Sequence, residues 1–414
     1  MNRLFLLTTA CLLVTGAIAT VMIRQQPVTE DRSTSGSIAS PAAIDAQDKG
    51  QQTPATTVKE HTGAAASKIQ VAVLLDVSNS MDGLIEQAKA QLWNMVNVLG
   101  KATCDNMAPT VEIALYEYGR PANGSKNGYI KRINGFTRNL DQLSENLFRL
   151  TTNGGDEYCS QVIYTSLTEL EWDPSSSNYK VIFIAGNEDF HQGSVSFTRA
   201  CAEAGKKGVI VNTIYCGDRS EGIREHWNLG TECGKGSFTN INQNEKIEDI
   251  ATPYDDQLFA LNEKLNGTYI SYGETGAANY EQQRDVDKMN YSNNRSAAAK
   301  RVSVKSKSVL YENSQWDLID ANTKDSTIIA KVDTKTLPAD LQSKSRAELK
   351  TIVTTKSKER TQLQKDIASL SVKREGYITA EKNKTAAGKE QRTLESEIEK
   401  IIREQAKRFN MLIK

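Results

Sequence analysis

The chain has 414 residues, enough for two or three domains. Its 51 Lys and Arg balance 51 Asp and Glu, so it lacks the strongly basic footprint of a nucleic-acid binder. Hydrophobic residues make up 38%, fewer than in an ordinary compact chain, and the deficit falls at the two ends.

At the N-terminus, Met1, Asn2 and Arg3 precede an apolar run from Leu4 to Thr15. Ala17, Ile18 and Ala19 then offer a small-residue cleavage site, the pattern of an export signal. The uncharged stretch Leu4 to Ile23 is also long enough for an uncleaved anchor. Residues 1–23 are therefore expected to be a signal peptide or a membrane anchor, with the folded part in the periplasm or cell envelope. Residues 24–67 contain no aromatic residue and are rich in Ser, Thr, Ala, Gln, Pro and Gly. Such a composition cannot bury enough surface to offset its ordering entropy, so a flexible linker is expected.

The most informative stretch follows. Val71, Ala72, Val73, Leu74 and Leu75 form an uninterrupted apolar run, as in a central parallel strand buried on both faces. It stops at Asp76, Ser78 and Ser80, and a helical pattern begins at Leu84 and continues to Leu99. Three oxygen side chains thus occupy a strand-to-helix turn, the place where open α/β sheets bind ligands. Hard oxygen donors suit Mg²⁺ or Ca²⁺. The plain alternative is that Ser78 and Asp82 only cap the helix.

Thr110–Tyr116 reads as a second strand and Gly128–Ile133 as a third, linked through Gly119, Pro121 and Gly124 in an antiparallel hairpin. Leucines from Leu140 to Leu150 and apolar residues from Val162 to Leu170 mark two helices. Strands are expected at Tyr179–Ala185, Val209–Tyr215 and Gly236–Ile241, and helices near Ser196–Ala204 and Pro253–Leu265. This alternation predicts an α/β fold with a doubly wound, mostly parallel sheet and one antiparallel edge strand.

The strand, the Asp76-x-Ser78-x-Ser80 turn, the following helix and the element order over residues 68–267 resemble a von Willebrand factor type A (vWA) domain. The resemblance implies a Rossmann-like sheet and a metal-ion-dependent adhesion site to which Asp76, Ser78 and Ser80 contribute. The family usually adds a Thr within Gly-Gly-x-Thr and an Asp within Thr-Asp-Gly. This chain instead has Gly154, Gly155, Asp156, Glu157, Tyr158 and Cys159 in the first stretch. In the second it has Gly186, Asn187, Glu188 and Asp189. It resembles an exported bacterial variant subgroup with these loops, where Asp76 with Asp156 or Glu157 would supply two anionic ligands and Glu188 a third. The resemblance implies Mg²⁺, or Ca²⁺ or Mn²⁺, as cofactor and a protein partner offering a carboxylate. Asp82, Tyr158 and Asn187 would lie on the recognition face.

Five cysteines follow the export signal, of which Cys216 and Cys233 flank one loop and are the expected disulfide pair. No Cys-x-x-Cys occurs and the histidines are His61, His191 and His226, which argues against zinc. Residues 268–337 are expected to be an irregular packing extension in which Trp316 docks on a neighbouring surface. Residues 338–414 are charged and nearly free of Gly and Pro, and predict a helical hairpin or coiled coil breaking near Ala386, Ala387 and Gly388. Lys356 and Arg360 intrude on its apolar seam. Lys and Arg outnumber Asp and Glu there, as on a solvated helix face or a surface for acidic partners.

No Gly-x-Ser-x-Gly elbow is present, and Gly230–Lys235 is one residue short of a phosphate loop. The expected function is a non-enzymatic, exported binding module using a divalent metal, with no nucleic-acid partner. The alternatives are a scaffold with a degenerate site that assembles through its C-terminal helices, and a metal-dependent hydrolase.

Overall fold

The apolar run that opens the folded chain becomes β1 (Lys68–Asp76), hydrogen-bonded along both edges. A computed structural model describes residues 67–242, 244, 250–385 and 393–413. After β1 come α1 (Asp82–Leu99), a short β2 (Ala102–Thr103), β3 (Thr110–Tyr118) and β4 (Lys131–Thr137). They are followed by α2 (Leu140–Phe148), α3 (Cys159–Glu169), β5 (Tyr179–Gly186), α4 (Phe197–Lys207) and β6 (Ile210–Cys216). The chain then forms α5 (Arg219–Arg224), β7 (Phe238–Ile241) and α6 (Asp255–Asn266).

The sheet runs in the order β4-β3-β1-β5-β6-β7, parallel throughout except for β4, which pairs antiparallel with β3. This is a vWA-like, Rossmann-like α/β fold with helices on both faces. Side chains alternate along β1. Ile69, Val71 and Leu75 join the core under α1, while Ala72 and Leu74 join the one under α3 and α4. Burial on both faces explains why the strand carries no polar alternation.

The third strand lies later than the sequence pattern suggests. Gly124, Gly128 and Tyr129 take left-handed φ values of 80°, 63° and 59°, so this stretch turns and pairing begins only at Lys131.

The disulfide is also different. Cys233 is bonded to Cys201 of α4, with Cα atoms 4.6 Å apart, and Cys216 is a buried free thiol. Alternation along β6 is the reason. Ile210, Ile214 and Cys216 face the α1 side of the sheet, whereas Val211 and Tyr215 share the opposite face with Cys233. The sheet separates the expected partners.

Residues 268–337 are more regular than expected, with α7 (Gly276–Asn293), α8 (Arg295–Lys305), α9 (Leu318–Lys324) and α10 (Ile328–Lys331). Asn294 caps α8 by accepting from Ala297 N at 2.8 Å, and Asp317 caps α9 by accepting from Asp320 N at 3.0 Å. The extension covers the outer side of α1, where Trp93 and Asn97 are buried and hydrogen-bonded to it. Trp93 Nε1 donates to Asn290 at 2.8 Å, and Lys307 Nζ donates to Asn97 at 2.6 Å. Trp316 stacks on Tyr269 with centroids 5.6 Å apart, a packing role.

The tail forms α11 (Arg346–Thr385), α12 (Leu394–Ala406) and β8 (Leu412–Ile413), which pairs with β2. Apolar residues of both helices are buried within this chain. Leu349 and Val353 of α11 pack with Leu318 and Ile319, while Ile398, Ile401 and Ile402 of α12 join the α1-side core. Arg360 does not break the seam. It is buried, donates to Asp317 at 2.6 Å and Asp320 at 2.8 Å, and lies 4.0 Å from the Tyr269 ring centroid.

Among the described residues, no helix is long and apolar enough to cross a membrane. The expected export segment, nearly all of the expected linker and the expected break near Ala386 lie outside the described residues.

Candidate functional site

The carboxyl ends of β3, β1 and β5 meet at the point where the strand order reverses, the crevice in which open α/β sheets place ligands. Asp76 ends β1 opposite Tyr118 of β3 and is fully buried. Its Oδ1 accepts from Ser78 N at 2.7 Å, the tight turn that an Asp-x-Ser sequence favours. Its Oδ2 is buried and has no hydrogen-bond partner among the described residues. Glu157, just before α3, is buried too, and its Oε2 is likewise without a partner.

Ser78 is buried beside them, with its Oγ 3.3 Å from Ser80 Oγ, and Ser80 Oγ donates to Asn187 at 3.4 Å. Asp76, Ser78, Ser80, Glu157 and Asn187, drawn from three loops, thus surround one crevice. Electrostatics follow from the crowding. Burial, opposed by the Ser78 amide, pushes Asp76 up to about 6. Burial and then the charge of Asp76 push Glu157 up to about 9.

Two glycines make the pairing possible. Gly119 has φ +84°, and a Cβ there would lie 2.9 Å from Asp76 Oδ1 and 3.1 Å from Glu157 Cγ. Gly186 stands where the family resemblance leads one to expect Asp. A Cβ at that position would lie 2.4 Å from Tyr118 Oη and 3.0 Å from Asp76 Oδ2. The Tyr118 hydroxyl occupies that space and donates to Ala185 O at 2.9 Å. Tyr118 thus fills the space beside Gly186, and the buried acid facing Asp76 is Glu157.

Other expected site residues lie further out. Asp156 is exposed and accepts from Tyr158 Oη at 3.5 Å, and Tyr158 meets Tyr129 edge-on with centroids 5.4 Å apart. Asp82 accepts from the Thr152 hydroxyl and so ties α1 to the loop before Glu157. Glu188 is exposed and linked to the crevice through Gln192. That side chain donates to Glu188 at 3.4 Å and accepts from Glu157 N at 3.3 Å. Glu188 still acts at a distance, since its charge raises both Asp76 and Glu157.

Sequence reasoning missed Tyr118 and Gln192. Parallel pairing of β3 with β1 could have placed Tyr118 beside Asp76, but nothing in the sequence signals Gln192. The donor set, all oxygen with two buried carboxylate oxygens lacking partners, fits a hard divalent cation.

No protein-family model and no curated protein matches the chain. Solved structures similar to part of it include the SpRpn10 VWA domain, at 13% identity and TM-score 0.32 over 43% of this chain and 90% of that one. Proximal thread matrix protein 1 from the mussel byssus matches at 14% identity and TM-score 0.30, over 42% of each chain. The pilus adhesin SpaC from Lactobacillus rhamnosus GG, in its open conformation, matches at 14% identity and TM-score 0.32. That match covers 44% of this chain and 29% of the adhesin. At such low scores the fold assignment rests on the strand order itself.

Proposed function

We propose that this chain is a protein-interaction module, exported or anchored at the cell envelope, that engages its partner through a divalent cation. The observation that carries the reading is the pair of buried, partnerless oxygens, Asp76 Oδ2 and Glu157 Oε2, at the switch point of the sheet. Leaving two such acceptors unsatisfied is costly unless something positive lies between them. Asp76, Glu157, Ser78 and Ser80 would hold Mg²⁺, or Ca²⁺ or Mn²⁺, with Asn187 and Glu188 at the rim. The cation would supply a fixed positive charge to which a partner's carboxylate is drawn. Asp82 and Thr152 hold the loop carrying Glu157 in register with the turn after β1. Tyr158 and Asn187 offer a half-buried contact surface around the crevice.

Binding rather than hydrolysis is the reading we propose, because these acids fall where the cation needs them as ligands. The tail stripes are used up in intramolecular packing, which weighs against assembly through them. Calorimetric titration of the full chain with Mg²⁺, Ca²⁺ and Mn²⁺, beside Asp76→Ala, tests the reading. Binding of at least one ion that vanishes in the variant is expected. Absence of heat with all three would overturn it.

A further inference from the structure

A second cluster of ligand atoms lies on the same rim. Asp189, His191 and His226 each offer one ligand atom, all within 4.8 Å of one another. His226 Nδ1 is 3.2 Å and His191 Nδ1 is 3.5 Å from Asp189 Oδ1. Tetrahedral zinc with bonds of about 2.0–2.1 Å spaces its ligands about 3.4 Å apart, near the separation that the His226–Asp189 hydrogen bond already holds, while Asp189 Oδ1 also accepts from His191 N at 2.9 Å. The imidazole rings lie 4.1 Å apart, centroid to centroid.

The cluster is built by the fold, not by neighbouring sequence. Phe190 N donates to Glu225 O at 2.9 Å, and Trp227 Nε1 donates to Glu188 O at 2.7 Å. These bonds clamp the segment carrying Asp189 and His191 onto the segment carrying His226. Beneath them the fully buried rings of Phe190 and Trp227 meet edge-on at 5.2 Å. His226 itself holds a left-handed φ of 63°, a conformation that a non-glycine residue adopts at a cost. Its Nδ1 meets Asp189 Oδ1 in a hydrogen bond at 3.2 Å. The three side chains are about half exposed, which leaves room for water or a partner side chain.

We propose that Asp189, His191 and His226 form a second cation site, selective for a borderline ion of the Zn²⁺ class and chemically distinct from the all-oxygen crevice at Asp76. Imidazole nitrogens favour zinc-class ions over Mg²⁺, so the two sites would sort ions by ligand type. Sequence spacing conceals the site because its histidines come from two separate loops.

Zinc titration of the full chain in a large excess of Mg²⁺, read by competition with a chromophoric chelator, tests this. One Zn²⁺ per chain is expected, with affinity lowered more than about tenfold in His191→Gln and in His226→Asn. Asn at 226 tolerates the left-handed backbone, so that variant is expected to keep its fold. Asp76→Asn should retain the zinc. Zinc binding that is absent, that survives both histidine substitutions, or that is lost only with Asp76→Asn would overturn the proposal.

Discussion

Asp76 at the end of β1 and Glu157 before α3 face each other, and each presents a buried carboxyl oxygen with no other hydrogen-bond partner among the described residues. Both acids are displaced upward, Asp76 to about 6 and Glu157 to about 9. Without added cation these two acids therefore hold more protons in the folded chain than in the unfolded one between about pH 4 and pH 9. Their contribution to stability must then fall as pH rises across that window. Thermal melts of the chelator-treated protein at a series of pH values should show this decline, and Glu157→Gln should flatten it. Saturating Mg²⁺ should raise the melting temperature most at the alkaline end, where its proton competitor is gone.

Gly186 and Tyr118 form a steric pair. Gly186→Ala places a methyl group 2.4 Å from Tyr118 Oη and should cost about 1–3 kcal/mol by overpacking. Adding Tyr118→Phe removes the obstructing oxygen, so the double variant should be more stable than the sum of its single losses implies. Urea unfolding of the four proteins measures the coupling.

Arg360 is paired with Asp317 in a buried contact between α11 and the start of α9. Arg360→Leu leaves that aspartate uncompensated and should cost about 3–5 kcal/mol. Arg360→Lys should recover little, because one ammonium cannot reach Asp317, Asp320 and Thr268 as the guanidinium does. Denaturant unfolding, with limited proteolysis of α11 as a second readout, distinguishes the two variants.

The cysteines offer a direct contrast. Cys201→Ser should lower stability by about 2–4 kcal/mol, matching the effect of reductant on the wild type. Cys216→Ser removes no cross-link. Mass spectrometry of a non-reducing digest should recover Cys201 joined to Cys233.

Much of this protein follows from local pattern. The two-sided apolar run ending at Asp76 could only be a central strand, and the hydroxyls after it had to fall at a helix entrance. The antiparallel hairpin at β4 was legible from its glycine-rich turn, and the doubly wound order from the spacing of strands and helices. Those features are encoded within a few residues of one another, where backbone geometry and burial period leave little choice.

What the tertiary structure alone decided concerns partners far apart in the chain. It chose Glu157 over Asp156, because only one of two adjacent acids can turn inward beside Asp76. It also revealed that Tyr118 fills the space at Gly186, and it joined Cys233 to Cys201 because the sheet intervenes before Cys216. Arg360 looked like a flaw in a coiled-coil seam until Asp317 and Tyr269 were seen beneath it. The same holds for His191 and His226, which two hydrogen bonds between separate loops bring to one carboxylate. Sequence periodicity reports which face of an element is buried, but not which distant residue meets it there.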